Sequence, residues 1–225
     1  MSNIHFIDGR YTMTPAEYDK QLTFLLSELL TDTGFSKKHI GRLKRKTKEC
    51  EQHISFYFTR ERGLPGNLYS VNPSLSFTFK EVDKLTSQFL GIEYDAKWDT
   101  GAKPLYTIIP DRPLFRFRYC SDDPLKQYAE RMADDCRAYA LPYFEKYDSL
   151  EKLEAYFDRY STMPEGEEGF DIVRNGTKGS GQGCCTAAIL CLLQKWDKLH
   201  MYLETSTLLL SEEKERIIEW LSQHR

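Results

Sequence analysis

The hydrophobic spacing of this chain switches from helical to alternating near residue 42, and that switch limits what it can fold into. Before it, Tyr18, Leu22, Leu25, Leu26, Leu29 and Leu30 recur at helical spacing, giving one apolar face that needs a partner. After it, the period is two. Across His53–Arg60, Ile54, Phe56 and Phe58 point one way while His53, Ser55, Tyr57 and Thr59 point the other. Across Tyr69–Phe79, Val71, Leu75, Phe77 and Phe79 oppose Ser70, Asn72, Ser74, Ser76 and Thr78. Strands with one apolar and one polar face belong to antiparallel sheets covered on one side only. An amphipathic helix next to such strands is the natural cover.

Local signals set the boundaries. Thr14-Pro15-Ala16-Glu17 combines an N-cap, a first-turn proline and a capping-box glutamate, and Gly34 is a stop. Gly63-Leu64-Pro65-Gly66-Asn67 has turn chemistry, so the two alternating runs read as a hairpin. Pro73 inside the second run predicts an edge position or a bulge. A helix is expected over 81–90, with Val82, Leu85 and Phe89 on one face. Strands are expected over 105–109 and 114–119, joined by Pro110-Asp111-Arg112-Pro113. Beyond them the pattern turns helical: Asp123-Pro124 opens a helix ending near Leu141-Pro142, and Asp148 with Glu151 forms a second capping box. Residues 161–183 read as a flexible glycine-rich loop, before a helical hairpin over 184–204 and 211–223. The fold class is α+β: an N-terminal helix packed on an antiparallel sheet of four or five strands, then a helical C-terminal part. Residues 1–120 form the sheet domain and 121–225 the helical part, packed on it as one compact unit.

Composition excludes several classes. In 225 residues, 40% hydrophobic and 29% charged content rules out wholesale disorder or a fibrous repeat. The longest nearly apolar run, Cys184–Leu193, is half the roughly 20 residues of a membrane span. The first eight residues lack the basic and apolar regions of a secretory signal. Six cysteines with no C-x-x-C pair then read as reduced, mostly buried thiols, and the expected compartment is cytoplasmic.

Charge is uneven. Residues 1–48 carry a net +4 and the other 177 carry −7, which together give the chain's −3. The excess comes from Lys37, Lys38, Arg42, Lys44, Arg45, Lys46 and Lys48, with no acid between 36 and 48. Such a run steers an anionic partner at low salt, or else makes Arg42–Lys46 a solvated edge strand protected against aggregation. No ribonucleoprotein motif or zinc-finger spacing supports nucleic acid.

Two constellations merit chemical attention. His53, Tyr57, Asn72, Ser74, Ser76, Arg116 and Arg118 would line one open face if four strands paired side by side. Tyrosine and arginine are the residue types that anchor protein interfaces, so Tyr57, Asn72, Arg116 and Arg118 are the candidate binding residues. The second is the stretch from Gly176 to Gly183 leading to Cys184-Cys185 at a helix start. It fails the Walker A and dinucleotide spacings. A thiol at a helix N-terminus is nevertheless a candidate nucleophile, and Gln182-Gly183-Cys184-Cys185 loosely resembles the helix opening of papain-like cysteine peptidases. Their histidine would have to be His200 or His224, both on the terminal helices, or His53 out of order. Five scattered histidines contain no H-x-x-x-H pair, so neither a metal nor a cofactor is expected.

The segment from the capped helix ending at Gly34-Phe35, through Ile54–Phe58 and Ser70-Val-Asn-Pro-Ser-Leu-Ser-Phe77, to Ala140-Leu-Pro-Tyr-Phe-Glu-Lys-Tyr147 and Ser149-Leu-Glu, resembles certain bacterial families of unknown function. Some of these include immunity-type proteins encoded beside polymorphic toxins. The resemblance spans roughly residues 14–160 and implies a binding protein with no chemistry of its own. The expected function is therefore non-enzymatic recognition of another protein in the cytoplasm. The alternative is a thiol-dependent hydrolase or transferase using Cys184 or Cys185.

Overall fold

The computed structural model describes residues 5–7, 10–60, 68–71, 73–95, 99–110, 118–120, 124–161 and 180–224. A ribbon of β1 (His5–Ile7) and β2 (Arg10–Thr12) precedes α1 (Pro15–Leu29). The capping box forms as its sequence requires: Thr14 N–H donates to Glu17 Oε2 at 2.8 Å, and Glu17 N–H donates to Thr14 Oγ1 at 3.3 Å. Tyr18, Leu22 and Leu26 bury the apolar face, and Gly34 takes a left-handed φ of 81° after a short 3-10 turn.

Six strands follow: β3 (Ser36–His39), β4 (Arg42–Lys46), β5 (Glu51–Ser55), β6 (Phe58–Arg60), β7 (Leu68–Val71) and β8 (Ser74–Thr78). Helix α2 (Lys80–Leu90) leads to β9 (Gly101–Pro104) and β10 (Arg118–Cys120). An antiparallel five-stranded sheet has the order β3-β4-β5-β8-β9, and a three-stranded one has the order β10-β7-β6. The C-terminal part is helical: α3 (Leu125–Asp135), α4 (Leu141–Glu145), α5 (Leu150–Ser161), α6 (Ser180–Leu192), α7 (Trp196–Thr205) and α8 (Ser211–His224). The expected α+β class holds, with an N-terminal helix, then strands, then helices.

The two alternating runs pair antiparallel through β6 and β7, as the expected hairpin requires, with the turn at 63–67 outside the described residues, but each run is broken in the middle. The first becomes β5 and β6, parted at 56–57, and the second becomes β7 and β8, with Pro73 before β8; in each run one strand lies in the five-stranded sheet and the other in the three-stranded one. Pro73, which has no N–H to give a ladder, sits at the second break. At the first, Phe56 N–H donates to Gly41 O at 2.8 Å, and Phe58 N–H donates to the Asp19 carboxylate at 2.8 Å. Beyond the break, Phe58 pairs with Val71 and Arg60 with Tyr69.

Other expectations shift. The strand placed at 105–109 lies earlier, at 101–104, and Leu105–Ile108 coil into a 3-10 turn whose Thr107 hydroxyl donates to Pro104 O at 2.7 Å. Of the 114–119 strand, Arg118 and Tyr119 fall in β10, and 114–117 lie outside the described residues. Pro142 does not end the helix. Residues Cys136–Ala140 form a π turn, with Leu141 N–H bonded to Cys136 O, and α4 continues through the proline. The cap of α5 is Ser149, not Asp148: its hydroxyl accepts from Lys152 N–H at 3.3 Å, while Asp148 binds the Lys152 ammonium. The final hairpin is three helices, interrupted after α6 where Gln194 adopts φ 55°. Arg42–Lys46 is not an edge strand, since β3 lies outside it.

By its contacts the chain forms two units that interleave in sequence. The first comprises 1–46, 51–76 and 103–145, and the second 47–50, 77–102 and 146–225. In the first, Tyr18, Phe58, Tyr69 and Tyr128 form an aromatic cluster with ring centroids 5.1–6.2 Å apart. In the second, α2 packs against α6 and α8, Phe89 meets Trp220 edge-on at 6.0 Å, and Arg216 donates to Phe89 O at 3.1 Å. Phe77 stacks on Tyr147, and Tyr147 packs edge-on against Tyr156.

Asp19 carries the break in the first unit, and burial pushes its carboxyl pKa up against the lowering effect of the Phe58 N–H. Replacing it with alanine strands a backbone donor and should cost about 1–3 kcal/mol in urea denaturation. Asp19→Asn, which keeps an acceptor there, should lose less than half as much. Equal losses would mean that the acceptor does not matter.

Candidate functional site

The β3–β4 turn builds the most distinctive surface of the first unit. Gly41 has φ 76°, and a Cβ added there would lie 2.5 Å from Tyr57 Cε1 and 2.7 Å from Phe56 O. Only glycine lets the Tyr57 ring lie on this turn. The turn is also pinned from the helix, because Gly41 N–H donates to Thr23 Oγ1 at 2.8 Å, and that hydroxyl donates to Asp19 O at 2.6 Å. What remains outward is apolar: Tyr57 is 50% and Ile40 46% exposed, and Phe24, next to Thr23, is 60% exposed. The two strands that the turn joins are basic: Lys37 and Lys38 on β3 are exposed, and Arg42 and Lys44 on β4 are half-buried.

The basic run divides by strand parity. Leu43 pairs with Ile54 and is buried, while Arg45 follows it to the inner side. There Arg45 lies over the Phe35 ring at 5.1 Å and donates to Gln52 Oε1 at 2.7 Å, so it is a packing residue. Arg42 and Lys44 take the opposite face, where Lys44 pairs with His53 and Arg42 donates to Ser76 Oγ at 3.4 Å.

His53 is the anomaly on that face. It is 1% exposed, its Nδ1 has no hydrogen-bond partner, and Nε2 is 3.9 Å from Glu51. Burial, reinforced by Arg42, Lys38, Lys44 and His39, lowers its pKa to about 3. The ring is therefore neutral at any physiological pH, and burial first, then the basic side chains around it, keeps it so.

The sequence-derived candidates fall in different places. Tyr57 is at the turn just described. His53 and Ser76 share a face with Arg42 and Lys44, and Ser74 lies two residues along β8. Arg118 belongs to the other sheet, paired with Ser70, whose opposite neighbour is Thr59. Asn72, Arg116 and the Arg118 side chain lie outside the described residues. Ile40, Gly41 and Phe24 did not emerge from the sequence. Ile40-Gly41 between two basic stretches does signal a turn, but nothing in the pattern says that the isoleucine stays in solvent.

Cys184 and Cys185 are both fully buried, and α6 begins at Ser180, four residues before the first of them. They sit in the second turn, beyond the free N–H groups of the helix start. Cys136 and Cys191 are buried too, and burial pushes both thiols up to about 12. Among the described residues no group of three or more His, Cys, Asp and Glu could hold a metal ion, and no helix is long and apolar enough to cross a membrane.

His53 makes stability depend on acid. Between pH about 6.5 and 3 the unfolded chain binds a proton that the folded chain refuses, so stability falls as pH drops through that window. The expected slope from this group is about 1.4 kcal/mol per pH unit. In His53→Phe this contribution should vanish, read as a flatter urea-denaturation stability profile between pH 6 and 4. An unchanged slope would mean that His53 titrates normally.

No family model, curated protein or solved structure matches the chain.

Proposed function

We propose that the chain is a non-enzymatic protein-binding domain, immunity-like in role, whose partner presents an apolar spot ringed by acidic groups. The observation that carries this reading is the exposed Tyr57 ring held on Gly41, beside the exposed Ile40, at the turn between the basic strands β3 and β4. Scattered exposed apolar residues are ordinary on a protein surface. Here a tyrosine is fixed on a glycine turn that is itself tied to a helix, so little side-chain entropy remains to be lost on binding. Tyrosines held this way dominate interface energetics, while a cationic rim speeds encounter with an acidic partner.

Affinity capture at low and moderate salt, comparing the native chain with Tyr57→Ala, tests this. The expected result is one stoichiometric protein retained at both salts, with affinity weakened about 30-fold or more by Tyr57→Ala. Charge reversal at Lys37 and Lys38 should mainly slow association, and reversal at Arg116 and Arg118 should weaken binding if that part of the chain joins the interface. Equal recovery with Tyr57→Ala would overturn the assignment. Retention lost steeply with salt and competed by nucleic acid would replace the protein partner with a polyanion.

Burial of both vicinal thiols favours recognition over thiol catalysis. In the native chain at neutral pH, Cys184 and Cys185 should alkylate with iodoacetamide far more slowly than free cysteine. Faster modification of either would revive the thiol hydrolase reading.

A further inference from the structure

Strand β3 closes one side of the five-stranded sheet, and among the described residues β4 is the one strand paired with it. The outer edge of such a strand carries backbone N–H and C=O groups that an extended chain can take up. All four residues, Ser36–His39, are exposed. The strand is also held in place before anything binds. It begins just beyond Gly34, which turns the chain with φ 81°, and it ends at the Gly41 turn that Thr23 pins to α1. Ile40 and Tyr57 lie exposed at that second end.

Charge limits what can pair there. Lys37, Lys38 and His39 follow one another on the edge, and the first acid after Asp32 is Glu49. The register shifts between Lys37 and His39, and Lys38, His39, Arg42 and Lys44 all act electrostatically on His53, so basic groups gather on one side of this edge. Lysines and bulges are the usual devices that keep an edge strand from pairing at random. A second copy of the chain is refused, because pairing two β3 strands edge to edge sets lysine against lysine. The same lysines favour a strand that places acids opposite them, since unlike charges attract across a ladder.

We propose that β3 is a strand-addition site, where an extended acidic segment of another protein pairs with the outer edge as a sixth strand. Main-chain bonds supply the affinity and the lysines select the partner. An apolar residue of the segment, continuing past His39, meets Ile40 and Tyr57. The inference rests on the protein-binding reading above and adds to it the mode of recognition.

The test is an NMR titration of the full chain with an acetylated heptapeptide of alternating glutamate and valine. Two further peptides run beside it: one with lysine for glutamate, and one with the acidic sequence N-methylated at every amide. Saturable shifts in β3 are expected from the acidic peptide, with slower hydrogen exchange at amides of Ser36–His39. The lysine peptide should bind at least about tenfold more weakly. The N-methylated peptide keeps its charge but has no N–H to donate, and it should lose at least about tenfold as well. Lys37→Glu with Lys38→Glu should reverse the preference between the acidic and lysine peptides. The proposal is overturned if no β3 amide gains protection at saturation, or if the N-methylated peptide binds equally, as simple charge attraction requires. It is also overturned if the double variant leaves the preference unchanged; should that variant fail to fold, the three peptides on the native chain still decide. Partner capture lost in Tyr57→Ala with no protection of β3 overturns strand addition alone. Protection of β3 with normal capture by Tyr57→Ala supports strand addition and overturns only the role of Tyr57.

Discussion

A backbone N–H that finds a helix side chain instead of a neighbouring strand organises the first unit. A hairpin that changes sheets halfway along both its strands leaves ladder positions unfilled at the corner, and a buried unpaired N–H is expensive. Asp19 supplies the acceptor for Phe58, and one helical turn later Thr23 supplies one for Gly41. These two side chains fix α1 on the corner, which in turn places Tyr18 against Phe58 and Tyr69. The same contacts set the β3–β4 turn at the height where Tyr57 can lie on it. The recognition surface is thus a by-product of how the corner is satisfied.

The second unit solves an equivalent problem at the start of α2. Phe79, at its N-cap, has no side-chain oxygen to offer the helix. The Thr100 hydroxyl accepts from the Phe79 N–H at 2.7 Å and donates to the carboxylate of the fully buried Asp83 at 2.9 Å. A carboxylate in the first turn also suits the positive end of the helix dipole. Glycine acts here by absence: a Cβ on Gly183 would meet Leu208 O at 2.8 Å, so α6 can approach that segment only because none is present.

Periodicity made much of this legible. The capped first helix, the hairpin, α2 with its glycine stop and the helical second half all follow from local residues whose preferences agree with their surroundings. What escaped was decided by distant partners. Pro73 signals an irregularity in the second run, but nothing local tells that the first would change sheets at 56–57, since the alternation of Ile54, Phe56 and Phe58 runs straight through. Pro142 looked like a terminator because an α-helical ladder cannot include it, yet the π turn before it re-registers the bonds. Of the loop expected over 161–183, residues 162–179 lie outside the described residues, while packing overrode the glycine propensities to make 180–183 part of α6. For the surface, the sequence identified Tyr57 and the cations but not the isoleucine beside them, because exposure is a property of the finished packing.

The interleaving of the two units has a consequence for how the chain can be made. Neither unit is one continuous stretch: the first runs up to about residue 145 with pieces of the second inside it, and the second draws residues from 47 to the last helix. During synthesis, the early helix and strands therefore emerge well before the α3 segment that shares their aromatic cluster. Helix α2 likewise waits for α6 and α8, about a hundred residues downstream. The apolar face of α2 is therefore left without those partners until the last third of the chain has been made. For the same reason neither unit can be excised, swapped or duplicated as a single uninterrupted cassette free of the other.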